Sequence, residues 1–170
     1  MGKESTALER RISAFYSVRD LPYRIPLAPG EEDFSCRGKH RRLSAMLRKQ
    51  GYKVRYRACT FSWRSHQKLP RSLAESAQED ECVHTYLEIL LGGKWLALDA
   101  TWDPGQRLFR ANEWDGTGPT RLAVIPVRIL SPSESLGFVR KEGRKAYVER
   151  DLRENGRFYS AFNDYVGKNR

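Results

Sequence analysis

The alternation of apolar and polar positions divides the chain into helical and extended stretches. Leu8, Ile12, Phe15 and Tyr16 recur at i, i+4, i+7 and i+8, which predicts a helix over residues 7–18. Pro22, Pro26, Pro29 and Gly30 then impose an extended, turn-rich passage to Asp33. A second helix is expected from Ser35, a candidate N-cap, to about Gln50, with Leu43, Met46 and Leu47 as its apolar stripe and Gly51 at the C-cap. Over residues 53–58 basic and apolar residues alternate with period two, predicting a strand with Val54, Tyr56 and Ala58 inward. Residues 62–81 are polar and irregular and read as a loop with a short helical turn. Two more strands, 82–91 and 94–101, are joined through Gly92-Gly93, a strong hairpin signal.

Beyond Pro104-Gly105 the pattern changes. A strand is expected within 121–129, demoted to an edge or split by Pro126. Ser131-Pro132-Ser133-Glu134 fits a capping box with proline at the first helical position. The stretch 141–166 reads as an amphipathic helix broken at Asn155-Gly156. These elements give an α+β fold in one domain, with a core over 1–105 and an extension over 106–170, an edge strand and helices, packed on it.

Composition narrows the class. A chain of 170 residues with 39% hydrophobic and 31% charged content can bury a core without disulfides or metal. No apolar run approaches the ~18 residues of a membrane span, so a soluble protein without membrane contact is expected. The start lacks the apolar stretch of a signal peptide, although Gly2 and Thr6 fit a short acylation pattern. Three cysteines and no Asn-x-Ser/Thr sequon favour a reducing cytoplasm. The net charge of +10 is uneven: residues 36–57 hold nine Lys/Arg and no acid, and residues 75–81 hold four acids and no base. Such a basic run is a solvated face or a surface for an acidic partner. Zinc-finger spacing, aromatic RNA-binding signatures and phosphate-cradling glycine loops are missing, which disfavours nucleic acid.

Chemistry enters through the hairpin. A two-residue turn sets Leu91 opposite Lys94, so paired positions sum to 185 and His84, Tyr86, Asp99 and Thr101 share a face. His84 and Asp99 then sit as diagonal neighbours, about 7–8 Å apart along the backbone. A histidine steered by a carboxylate is the base-and-orienter part of a catalytic triad, with Asp103 the rival orienter. Cys36, at the mouth of the second helix, is the candidate nucleophile, because unpaired N–H groups and the dipole favour a thiolate there. Cys36-x-x-x-His40 and Cys82-x-His84, with Cys59 and His66 in reserve, invite a zinc reading. The paired-thiolate spacing of structural zinc sites is not there, and no metal or other cofactor is expected.

Three segments in order carry a resemblance. The run from Cys36 through Leu47-Arg48, Gly51 and Val54-Arg55-Tyr56-Arg57 resembles the nucleophile helix and following strand of the transglutaminase-like superfamily. His84-Thr-Tyr-Leu-Glu-Ile and Gly93-Lys-Trp-Leu-Ala-Leu-Asp99-Ala-Thr are similar to its histidine and aspartate strands, and Phe15–Tyr23 to its lead-in. Tyr86 stands where the family often has Trp, and Ala100 where Pro is common. The resemblance covers roughly residues 7 to 104. It implies a papain-like α+β fold with Cys36 as nucleophile, His84 as general base and acid, and Asp99 as orienter. Acyl transfer or amide hydrolysis through a thioester follows, on a peptide, protein or other amide. The backbone N–H of Cys36 and the Tyr23 hydroxyl are candidate oxyanion donors, and Tyr86 a candidate cleft residue. The alternative is a non-catalytic binding module using the basic face of residues 37–57.

Overall fold

The computed structural model describes residues 6–65 and 68–170, so the readings at Gly2 and His66 lie outside the described residues. Helix α1 (Ala7–Arg19) starts on a reciprocal cap, Thr6 accepting from the Glu9 N–H and Glu9 accepting from the Thr6 N–H. Its inward face is Ala14, Phe15 and Val18, while Leu8 is exposed. Helix α2 (Cys36–Lys49) buries Leu43 and Leu47 and leaves Met46 outside. Leu8 and Met46 thus fall outside the stripes expected for the two helices, because α1 and α2 pack on each other and cover only part of each surface.

A four-stranded antiparallel sheet runs in the order β3-β2-β1-β4, from β1 (Val54–Ser62), β2 (Glu81–Leu91), β3 (Lys94–Leu98) and β4 (Arg128–Ile129). Strand β1 outlasts its period-two pattern by four residues, since Ala58 through Phe61 are buried regardless of parity. The β2–β3 turn has φ +54 at Gly92 and +79 at Gly93, and Leu91 faces Lys94 in the expected register. Strand β3 ends at Leu98, three residues early. The reason is local: the N–H groups of Asp99, Ala100 and Thr101 go to Thr120 Oγ1, His40 Nε2 and Asp99 Oδ1 rather than to β2.

Helix α3 (Arg71–Glu75) is the short turn inside the irregular stretch. Helix α4 (Pro132–Glu142) carries the Ser131–Glu134 capping box with Pro132 in its first turn. Helix α5 (Lys145–Lys168) runs unbroken through Asn155-Gly156, which corrects the expected break. Asn155 donates to Asp151 Oδ1 one turn earlier at 2.8 Å, keeping its side chain on the helix, and the interruption falls at Gly143-Arg144.

Two apolar clusters hold these layers together. Phe15, Val18, Leu43, Leu47, Leu87 and Ile89 join α1 and α2 to the sheet. Phe158, Phe162 and Val166 of α5 join Tyr23, Trp63 and Trp102 in the other. Each such side chain contributes about 1.5–3 kcal/mol on burial. Residues 106–170 are therefore part of the core: Asn163 brackets both backbone groups of Ile25, and Arg170 pairs with Asp103 at 2.7 Å. None of the described helices is long and apolar enough to cross a membrane.

Candidate active site

The mouth of α2 is built by Asp33. Its Oδ1 accepts from the Ser35 N–H at 2.9 Å and the Ser35 hydroxyl at 2.6 Å, and its Oδ2 accepts from Arg37 Nε at 2.7 Å. Ser35 occupies the N-cap position, but its hydroxyl makes no cap bond because Asp33 takes it. The Asp33 carbonyl presses on Gly38 so closely that a Cβ there would lie 1.9 Å from the oxygen. This clamp places Cys36 in the first helical position, half-buried on the wall of a cavity of about 440 Å³. The N–H of that position has no intrahelical acceptor, and the positive end of the helix dipole faces the thiol.

Strand β2 brings His84 to the same cavity. Its Nε2 donates to Asp99 Oδ2 at 2.7 Å, with both side chains buried, which leaves Nδ1 for the Cys36 thiol. Burial alone would push the imidazole toward its neutral form. The Asp99 charge and hydrogen bond override it, Cys36 adds a further hydrogen bond, and the pKa rises to about 10. Asp99 is held well below the usual carboxylate range despite its own burial, by His84 first and then by His40 and Thr101. It also accepts from the Ala123 N–H at 2.8 Å and the Thr101 hydroxyl at 2.6 Å. Asp103 is engaged elsewhere, with the Tyr23 N–H and Arg170.

The helix supplies two further groups that sequence reasoning did not assign. His40 donates from Nδ1 to the Cys36 carbonyl at 2.7 Å and accepts the Ala100 N–H on Nε2 at 2.9 Å. An acceptor at Nε2 and a carbonyl at Nδ1 fix one neutral tautomer, and burial lowers its pKa to about 4. Both ring nitrogens are thereby engaged, so His40 serves as a strut between the first turn of α2 and the chain after Asp99. Lys39 Nζ donates to the carbonyls of Arg19, Leu21 and Thr101 at 2.8, 2.9 and 2.8 Å. Burial pulls its pKa to about 7, while three acceptors match the three protons of the ammonium form. The signal for His40 was its spacing: 36, 40, 43 and 47 form one helical stripe.

Tyr23 lines the cavity between Trp102 and Phe162 at 4.7 and 6.2 Å between ring centres. Burial and the neighbouring Cys36 raise its pKa well above the usual phenol range, keeping it an O–H donor. Tyr86 is not on the cavity wall. It stacks beside the His84 ring at 6.2 Å and 13°, inside the core, so its expected place in the cleft is corrected to packing support for the imidazole. Cys82 does reach the cavity, and burial drives the thiols of Cys82 and Cys59 up to about 12. Among the described residues no group of three His, Cys, Asp or Glu side chains could hold a metal ion.

Part of the basic run is engaged by neighbouring groups, while Arg41, Arg48, Lys49 and Lys53 stay exposed. Lys39 is buried, Arg37 and Arg42 pair with Asp33 and Glu32, Arg55 and Arg57 pair with Glu88, and Arg48 donates to the Val54 carbonyl. Compared with protein-family models, curated proteins and solved structures, the chain finds no match in any of the three.

Proposed function

We propose that this chain is a transglutaminase-like thiol enzyme on a papain-like core, acting on amides through a thioester at Cys36. The single observation that carries the reading is the buried His84–Asp99 hydrogen bond of 2.7 Å, facing a cysteine at a helix mouth across one cavity. In the first step Cys36 gives its proton to His84, its sulfur attacks the amide carbonyl carbon, the C–S bond forms, and the π electrons move to oxygen. The Cys36 N–H and the Tyr23 hydroxyl receive that oxyanion. His84 then passes its proton to the amide nitrogen, the C–N bond breaks, and ammonia or an amine leaves. Water or an amine next gives its proton to His84 and attacks the thioester, the C–S bond breaks, and the sulfur takes that proton from His84 to restore the thiol. Asp99 and His40 act as positioning residues throughout: one holds the imidazolium, the other the helix turn.

The binding-module alternative loses the charges of Arg37, Lys39 and Arg57, which are covered and engaged within the fold, and rests on the exposed Arg41, Arg48, Lys49 and Lys53. Iodoacetamide labelling at pH 6, resolved by peptide mapping, separates the two readings. The expected result is alkylation of Cys36 at least about tenfold faster than Cys59 or Cys82, and lost in His84→Ala. Equal, slow labelling of all three would overturn the thioester reading. Trapped acyl adducts by intact mass, present in the wild type and absent in Cys36→Ala, would identify the acyl half of the substrate.

A further inference from the structure

Glu142, the last residue of α4, stands on the wall of the cavity that holds Cys36 and is 6% exposed. Its Oε1 is buried with no hydrogen-bond partner among the described residues. Leaving a buried carboxylate oxygen unmatched is costly, and native proteins rarely tolerate it without a use. The cavity does not share the positive excess of the molecule. The chain carries +10 overall, yet Glu79, Glu81, Glu142 and Asp151 line the cavity with Arg37, Lys141 and Arg150, and the His84 imidazolium on the same wall is matched by Asp99. Those three cations are engaged: Arg37 with Asp33, Lys141 and Arg150 over the Tyr147 ring at 5.9 and 5.4 Å. Asp151 accepts from the Tyr159 hydroxyl and Asn155. Glu79 and Glu81, from the acidic run 75–81, make no ion pair among the described residues.

We propose that the cavity accepts a substrate carrying an organic cation, an ammonium or guanidinium group, which donates to the unmatched Glu142 oxygen while Glu79 and Glu81 supply the surrounding negative field. The identity of the reacting group beside it rests on the thioester reading; the cation subsite does not. Burial raises the Glu142 pKa to about 7, Arg37 and Arg41 of α2 opposing the shift and Asp33 and Asp151 adding to it. Tyr147 is the other titratable group coupled to it, and burial keeps that phenol protonated. The carboxylate is therefore neutral well below pH 7 and charged above it, and cation binding strengthens as pH rises through 7.

The test uses the full chain and matched cationic, neutral and anionic methanethiosulfonates, with the modification rate at Cys36 read by peptide mapping. At pH 8.5 any accessible thiol reacts, so the cation-to-anion rate ratio is obtained even if Cys36 is no nucleophile. A net charge of +10 by itself favours the anionic reagent. The expected wild-type ratio is above one, falls about threefold to tenfold in Glu142→Gln, and falls by less in Glu79→Gln/Glu81→Gln. The wild-type ratio should also increase from pH 6 to 8.5 and stay flat in Glu142→Gln. A ratio at or below one, or a ratio unmoved by both variants, would overturn the subsite. The double variant alters only exposed side chains, so it carries the test if Glu142→Gln does not fold. Slow reaction of Cys36 with the neutral reagent at pH 6 would instead count against the thioester reading alone.

Discussion

His84 stands under two opposed pressures, and the balance between them sets how the protein responds to pH. Burial favours neutral imidazole, but Asp99 at 2.7 Å holds the proton, raising the pKa from 6.5 to about 10. The stabilisation from His84 is therefore complete below pH 6.5 and fades as pH rises toward 10. Asp99 has the opposite sign: its depressed pKa gives stability above about 3.8 that is lost as pH falls further. The pair is worth most between these limits. Asp99→Asn should cost about 3–5 kcal/mol at pH 6, because it leaves His84 buried without its counter-charge. By pH 9.5 the gap between wild type and variant should shrink markedly. Urea unfolding of both proteins at the two pH values checks this, and a gap independent of pH would show that the imidazolium is not what Asp99 stabilises. The pairing itself was legible in the residues, since glycine turn chemistry fixes the hairpin register. The other bonds of Asp99 were not, because Thr120, which accepts the Asp99 N–H, and Ala123, whose N–H donates to the carboxylate, come from a distant stretch whose pattern does not state where it packs.

At the scale of elements, the mouth of α2 is shaped by a contact that local propensity opposes. Gly38 weakens a helix by about 1 kcal/mol relative to alanine. It is nevertheless required, since a Cβ would meet the Asp33 carbonyl oxygen at 1.9 Å and carbon at 2.5 Å. Propensity thus predicts that Gly38→Ala stabilises the helix, and geometry predicts the reverse. The expected outcome is a loss of about 1–3 kcal/mol in thermal or urea unfolding, with slower Cys36 alkylation as Asp33, Ser35 and the first turn are displaced. A stabilised variant with unchanged alkylation would show that the loop yields freely. The sequence pattern announced where α2 begins and ends but not this approach, which depends on how the proline-rich passage returns to the helix. The same holds for α5, where Asn155-Gly156 has the composition of a break and tertiary packing of Phe158 and Phe162 keeps the helix continuous.

For the whole molecule the question is whether residues 106–170 form an appendage or part of the unit that holds the site. The apolar stripe of α5 was readable as a helix face, but nothing in its periodicity states which surface it covers. The packing answers this: Phe162 is fully buried with its ring 5.1 Å from Trp63 and 6.2 Å from Tyr23, and Tyr23 lines the cavity beside Cys36. Truncating that ring removes contacts on both sides of the boundary between residues 105 and 106 at once. Phe162→Ala should therefore cost about 3–5 kcal/mol, lowering the melting temperature by roughly 2–4 °C per kcal/mol. The informative readout is the number of transitions. One cooperative unit gives a single transition, with tryptophan fluorescence, helical circular dichroism and protection of Cys59 from alkylation lost together. An appendage would melt first and alone, carrying off helical signal while Cys59, buried in β1, stayed protected. Coincident transitions are expected, because Phe162 packs on Tyr23 and Trp63, which together with Phe158 of α5 form the apolar wall of the cavity.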